Sequence, residues 1–226
     1  MEAGDRMGGT WDFAMPLEEA MTTQRAVRRL KPDPVPDGLV LRLIEFALKA
    51  PTGSNAQNWE FIVVRDSAVK AKLARRNRQA WRVYGRLGRW LTRQDPKMQR
   101  VIDAVQWQAD HFEEIPVIVV ACLRGPRPWF PPIATASYYG SIFPSVQNLL
   151  LAARAVNLGA ALITLPLWST WSVRRILGCP WSVQPCAVIP LGWPRGRYGP
   201  TTRRPVGEVV SLDRYGQRPW KGSPGS

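Results

Sequence analysis

Apolar residues recur at helical spacing from Pro36 to Ala50. Val40, Leu43, Ile44 and Ala47 form one stripe there, and Leu39, Phe46 and Leu48 widen it. Pro51 and Gly53 stop that helix. Trp59 to Val64 is a short aromatic and β-branched run, which predicts a strand. Residues 67–94 read as a charged helix rich in Arg and Trp, and after Pro96 a second helix runs to Glu114. Pro116 to Leu123 is apolar throughout, as a central strand is, and 124–132 is a Pro-rich loop. Ser137 to Leu158 is the most apolar helix. Ile142, Val146, Leu149, Ala153 and Val156 line one side and Arg154 is the only charge, so this helix is expected to be buried. Pro144 marks its start or a kink, and Gly159 its C-terminal cap. Ala160 to Leu165 predicts another strand, Ser172 to Leu177 a short helix, and Pro185 to Leu191 a last core strand.

This order of elements is α+β, with a small mixed sheet between long helices. The glycine fingerprint that opens a dinucleotide-binding Rossmann unit does not follow the first strand. Residues 1–15 are expected to be a mobile leader, 16–215 a single domain and 216–226 a tail. A chain of 226 residues, 45% of them hydrophobic, is expected to bury one core, or two cores in a dimer. The Pro-, Arg- and Gly-rich stretch after Trp193 has no core and must lie on another surface.

Charge adds a ligand class to this picture. The net charge is +14, which suits nucleic acid, an anionic membrane surface or small anionic ligands. The basic residues are scattered, with clusters at Arg28–Lys31, Lys70–Arg78 and Arg195–Arg204, and no block of five like charges forms a nucleic-acid tail. Cys122, Cys179 and Cys186 are odd in number and in no metal-ligand spacing. The single histidine, His111, argues against a Ser/His/Asp triad or a histidine-rich metal site. Residues 1–15 lack a secretory apolar core and no stretch reaches membrane-spanning length, so cytoplasmic location and no membrane partner are expected.

Three separated segments carry candidate chemistry. Gln24-Arg25-Ala26-Val27-Arg28-Arg29 offers two guanidinium groups on neighbouring turns, able to hold a phosphate or to form a solvated face. Ala50-Pro51-Thr52-Gly53-Ser54-Asn55-Ala56-Gln57-Asn58-Trp59 is a turn of small polar residues. Such a turn brings backbone N–H groups to a ligand, or simply ends a helix. Leu191-Gly192-Trp193-Pro194 is a turn followed by the basic pair Arg203-Arg204 before Pro205. Their order and spacing resemble the nitroreductase family. Its members carry an Arg-Arg-Ser-x-Arg segment, then Ala-Pro-Ser-x-x-Asn-x-Gln-Pro-Trp, and near the end Leu-Gly-Tyr-Pro with a basic pair. The helix around Gln147 to Arg154 is similar to the family's central helix, and Thr164-Leu165-Pro166-Leu167 to a flavin-contacting turn of its deiodinase-like branch.

The resemblance implies an FMN-dependent fold, an intertwined homodimer whose C-terminal tail lies on the partner, and NADH or NADPH as electron donor. It places Gln24, Arg25 and Ala26 around the FMN phosphate and ribityl chain, and Arg28 at the pyrimidine edge of the flavin. A positive charge at that edge stabilises the negative charge that reduction places on the ring. Pro51, Thr52, Gly53 and Asn55 match residues reaching the flavin from the other subunit, Thr164 and Leu165 the turn near its reactive edge, and Arg203 a distal phosphate ligand. Gln24 and Ala26 stand where the family often has Arg and Ser, which removes a charge and a hydroxyl. Arg29 or Arg204 can replace them. Asn58 and Trp193 stand for the usual Pro and Tyr.

The resemblance also makes about 75–111 the variable cap over the flavin. Its Trp81, Tyr84, Trp90 and Trp107 either stack on a flat substrate or fill two packed helices. No catalytic side chain and no metal are expected. The implied activity is electron transfer to a nitroaromatic, quinone or similar small acceptor. A dehalogenase, desaturase or benzimidazole synthase is the alternative on the same fold. A basic nucleic-acid-binding protein is the remote one, since no motif for it is present.

Overall fold

The computed structural model describes residues 11–222. Its helices are α1 (Leu17–Thr23), α2 (Asp37–Ala47), α3 (Ser67–Leu91), α4 (Pro96–Asp110), α5 (Pro132–Gly140), α6 (Phe143–Ala155) and α7 (Thr170–Leu177). Its strands are β1 (Trp59–Val64), β2 (Val117–Arg124), β3 (Gly159–Ala160) and β4 (Val183–Gly192), in one sheet of order β1-β2-β4-β3.

Every pairing in this sheet is antiparallel, which corrects the expected mixed sheet. The reason is visible between β1 and β2. They are joined by α3 and α4, which run out and back as a helical hairpin, so the chain re-enters the sheet at the end it left. A parallel neighbour needs a crossover to the opposite end.

Local sequence explains most of the boundaries. The Asp66 side chain accepts the Val69 N–H at 2.8 Å and starts α3. Asp95 accepts from Lys97 and Met98 at 2.9 and 3.1 Å and starts α4, with Pro96 in its first turn. The single helix expected over Ser137–Leu158 is two, α5 and α6. Pro144 sits in the first turn of α6, where its missing N–H leaves no bond unmade.

Gly159 is not the cap of α6. Asn157 takes the left-handed conformation, φ 57°. Asn157 N–H donates to Arg154 O at 2.9 Å and Leu158 N–H to Ala153 O at 2.8 Å, a Schellman ending with Asn in place of Gly. The strand expected over Ala160–Leu165 is short. After Ala160 it keeps one bridge, Ile163 to Val188, and Leu165–Ser169 coils into a 3-10 turn. Pro166 cannot donate to a ladder there.

Both sheet faces are covered, which is why β2 is apolar at every position but its last. Val117, Val119, Ala121 and Leu123 face a core with Leu39, Leu43, Val146 and Leu149 of α2 and α6. Ile118, Val120 and Cys122 face a second core with Leu73, Ala74, Phe112 and Val173. Of the expected leader, 1–10 lie outside the described residues. Trp11 and Phe13 pack against the first core, Phe13 with its ring 4.8 Å from that of Phe46. Residues 223–226 also lie outside the described residues. The tail before them turns back, so that the Trp220 carbonyl leaves no room for a Cβ at Gly207. Among the described residues no helix is long and apolar enough to cross a membrane, and no cluster of potential metal ligands occurs.

Candidate functional site

Beyond α1 the chain becomes extended and is pinned from both sides. Gln24 caps α1, its N–H donating to Ala20 O at 2.9 Å. Val27 N–H donates to Ala160 O at 2.9 Å, and Lys31 N–H to Trp193 O at 2.7 Å. Leu30 bridges Pro194, and Arg195 N–H donates to Arg29 O at 3.0 Å. The segment 24–31 is thus held between β3 and the stretch that leaves β4.

Two glycines allow this approach. Gly159 and Gly192 are opposite each other in the β3–β4 register. A Cβ at Gly159 would lie 2.6 Å from Leu30 Cδ2 and 3.0 Å from both Gly192 O and Val27 Cγ1. One at Gly192 would lie 3.0 Å from Pro116 Cγ and 3.2 Å from Leu30 Cβ. The Leu-Gly-Trp-Pro motif therefore supplies close packing. Gly159→Ala is expected to cost about 2 kcal/mol by overpacking, read as a lower urea midpoint with an unchanged slope. It is also expected to displace the 24–31 segment.

Arg25, Ala26 and Arg28 line a recess of about 160 Å³ together with Arg29, Ala104, Pro194, Gly196, Arg197 and Tyr198. Among the described residues four arginines and no carboxylate line it, which makes the lining positive. Arg28 is the informative member. It is half-buried, makes no hydrogen bond or ion pair with a described residue, and its Nε is fully buried without an acceptor. Burial lowers its pKa. An unmade guanidinium bond of this kind costs about 1–3 kcal/mol, and the arginines that line the recess suit an anion.

Thr164 and Leu165 lie at a second, larger recess of about 480 Å³, lined also by Tyr84, Tyr139, Leu167, Trp168, Pro185 and Cys186. Among the described residues no charged side chain lines it. The stretch from Ala160, which accepts from Val27, to Thr164 connects the two recesses along one sheet edge. Helix α3 packs across the 165–169 turn, and Tyr84 meets Trp168 edge-on at 5.3 Å. The aromatic residues of the α3–α4 hairpin therefore divide. Trp81 donates to Gln106 Oε1 at 2.8 Å and so ties α3 to α4, whereas Trp107 stacks on His111 at the end of its own helix at 4.1 Å, with the Arg195 guanidinium 5.5 Å from its ring centre. Tyr84 faces the recess, and Trp90 is 65% exposed.

Pro51, Thr52, Gly53 and Asn55 are on a surface loop that lines neither recess. Gly53 N–H donates to Ser141 Oγ at 3.1 Å, and Gln57 N–H to Thr52 Oγ1 at 3.2 Å. Ser54, Asn55 and Gln57 all have positive φ, near 50°. Strain of that kind concentrates at ligand and partner contacts. Arg203 is exposed, donating only to Thr202 O, and lines neither recess. It follows Thr201, which is tied to Thr22 O at 2.8 Å beside Gln24.

Sequence reasoning missed Arg197 and Tyr198, although both directly follow the Leu-Gly-Trp-Pro motif. It also missed Tyr139, Trp168 and Cys186, which no local pattern marks. Cys186 lines the larger recess but is 7% exposed, and burial pushes its thiol up to about 11, so it is a neutral wall at physiological pH.

Comparison with known proteins places this geometry. A sequence profile described as Nitroreductase family matches residues 21–193. An NADH dehydrogenase of Thermus thermophilus is 27% identical over 213 residues, which cover 88% of this chain and 98% of the relative. An iodotyrosine deiodinase of Thermotoga neapolitana is 26% identical, covering 86% of this chain and 95% of its own. Among solved structures, the NADPH:FMN oxidoreductase from Vibrio harveyi complexed with NAD+ superposes with a TM-score of 0.66 at 19% identity, covering 88% of this chain and 77% of that one. The profile spans both the recess-forming 24–31 segment and the Gly192 turn that holds it, and on that ground the chain belongs to the nitroreductase family.

Proposed function

We propose that the protein is an FMN-dependent oxidoreductase that carries electrons from NADH or NADPH to a small aromatic acceptor such as a nitroaromatic or a quinone. The observation that carries this reading is the half-buried Arg28, unpaired among the described residues, in a recess whose described charged residues are all arginines, together with the neutral aromatic recess at Thr164 and Leu165. The likeness to an NADH dehydrogenase and to an NADPH:FMN oxidoreductase supports both the flavin and a nicotinamide donor. FMN, when bound, accepts two electrons from the nicotinamide and passes them to the acceptor. Arg25, with Arg29 and Arg197, suits its phosphate. Arg28 suits the pyrimidine edge of its ring, where a cation favours the reduced form. The Thr164–Leu165 turn and α3 keep water from the reacting face, and no side chain is required to move a proton.

The exposed, strained 51–57 loop supports a homodimer in which this loop reaches the partner's flavin. Arg203 then approaches the phosphate from the tail. An acceptor without charge fits the larger recess better than an amino acid, whose ammonium and carboxylate would meet no charged partner there. This observation favours the reductase over a dehalogenase acting on an amino acid.

The test is the visible spectrum of the purified protein, followed by anaerobic NADPH. Flavin absorbance that bleaches is the expected outcome. Flavin that stays oxidised with either nicotinamide would turn the reading toward the alternative chemistries. A colourless protein that takes up no added FMN would end it.

A further inference from the structure

The cap hairpin leaves one side of α3 uncovered. Helix α4 packs where Gly88 meets Ile102, Trp81 meets Gln106 and Arg89 meets Asp103. On the side of α3 away from these contacts, Val83, Leu87, Trp90 and Leu91 fall one helical turn apart, with exposures of 60, 53, 65 and 64%. Arg82 and Arg86, with Arg93 just beyond the helix, form the adjoining band. All three are exposed and without an ion pair among the described residues. Helix α3 carries eight basic side chains and no acidic one.

We infer that this face of α3 docks on an anionic lipid surface, a peripheral contact that departs from the sequence-based expectation of no membrane partner. An apolar stripe edged by guanidinium groups, with a tryptophan at its end, is the form a helix takes when it lies in a bilayer interface. Its leucines enter the acyl boundary while the arginines stay with anionic headgroups. A second copy of the chain fits less well. Symmetric pairing of this face would set the Arg82–Arg86 band against its own equivalent with no carboxylate from α3 between them. Nucleic acid would leave the apolar stripe without a partner. Tyr84 belongs both to the rim of this face and to the larger recess, so docking would place the mouth of that recess at the lipid surface. The inference concerns the surface alone and stands whether or not the flavin reading holds.

The experiment is flotation of the purified full-length protein with vesicles of phosphatidylcholine alone or mixed with phosphatidylglycerol. Binding is expected only to the mixed vesicles, with release by added salt. Arg82→Ser with Arg86→Ser should weaken partitioning about 30-fold, at about 1 kcal/mol per arginine near the surface. Arg214→Ser with Arg218→Ser, which removes the same charge from the C-terminal stretch, should leave partitioning near the wild-type value. Leu87→Ser with Trp90→Ser should also lose binding while melting at the wild-type temperature, and Leu91→Ser replaces this pair if it does not. Absence of flotation overturns the inference. So does equal loss from both arginine pairs, which would mean adsorption by bulk charge, or indifference to the apolar substitutions. Light scattering that shows assemblies dissolved by Leu87→Ser with Trp90→Ser would assign the face to a second copy instead.

Discussion

Arg28→Met is expected to weaken FMN binding about 10- to 100-fold and, at the same time, to stabilise the flavin-free protein. Both effects come from one observation, a half-buried guanidinium whose Nε has no acceptor among the described residues. With an anion or carbonyl in place, its charge-assisted bonds are worth about 1.5–3 kcal/mol, which is the affinity lost. Without one, the desolvated charge is a liability, and a thioether of similar length removes it. A gain of about 1 kcal/mol in urea unfolding of the flavin-free form is expected. Arg28→Lys separates charge from shape. It keeps the charge but not the planar fork, so its affinity should fall between the two. FMN titration and denaturant unfolding of the same preparations decide the matter. An Arg28→Met protein that binds FMN as the wild type does, or that is less stable when flavin-free, would show that Arg28 is a structural residue.

The second large effect is expected at Arg154. This arginine is 5% exposed and joins three parts of the chain. Its Nε donates to Thr23 Oγ1 at 2.7 Å, Nη1 to Asn157 Oδ1 at 2.7 Å, and Nη2 to Glu19 Oε1 at 3.3 Å. Its guanidinium also lies 4.3 Å from the ring centre of Tyr198, whose hydroxyl donates to Leu158 O at 2.8 Å. Glu19 is half-exposed, so the ion pair itself contributes little. The weight is in the buried hydrogen bonds and the stacked ring. Arg154→Met should destabilise by about 3 kcal/mol, while Glu19→Gln should cost no more than about 0.5 kcal/mol. Because Tyr198 also lines the basic recess, Arg154→Met should loosen flavin as well. A change within about 1 kcal/mol of wild type for Arg154→Met would mean that the network is incidental.

Arg154 also shows how a sequence pattern misleads. As the only charge in the most apolar helix, it marks that helix as buried, which is correct. The apolar pattern runs on either side of Pro144 without a break; that proline left a start or a kink open, and the structure shows a start, with Pro144 in the first turn of α6. Gly159 reads as a cap. Asn157 took the left-handed position, since its short side chain tolerates that conformation and accepts from Arg154. Gly159 was needed elsewhere, against Leu30, and nothing local records that contact.

What the sequence by itself determined is the set of strongly periodic or continuously apolar elements, together with the family. Trp59–Val64, the β2 run and the charged 67–91 helix are dictated by side-chain spacing and by capping residues such as Asp66 and Asp95, which act within a few residues. The three motifs with their spacing identified the nitroreductase likeness for the same reason. The tertiary structure alone decided the antiparallel sheet, because strand direction depends on where the α3–α4 hairpin returns the chain. It alone set Arg25, Arg28 and Arg197 around one recess, some 170 residues apart in the chain. It also left Arg28 without a partner among the described residues. Burial of a charge is a property of everything packed around it, and no window of sequence contains that information.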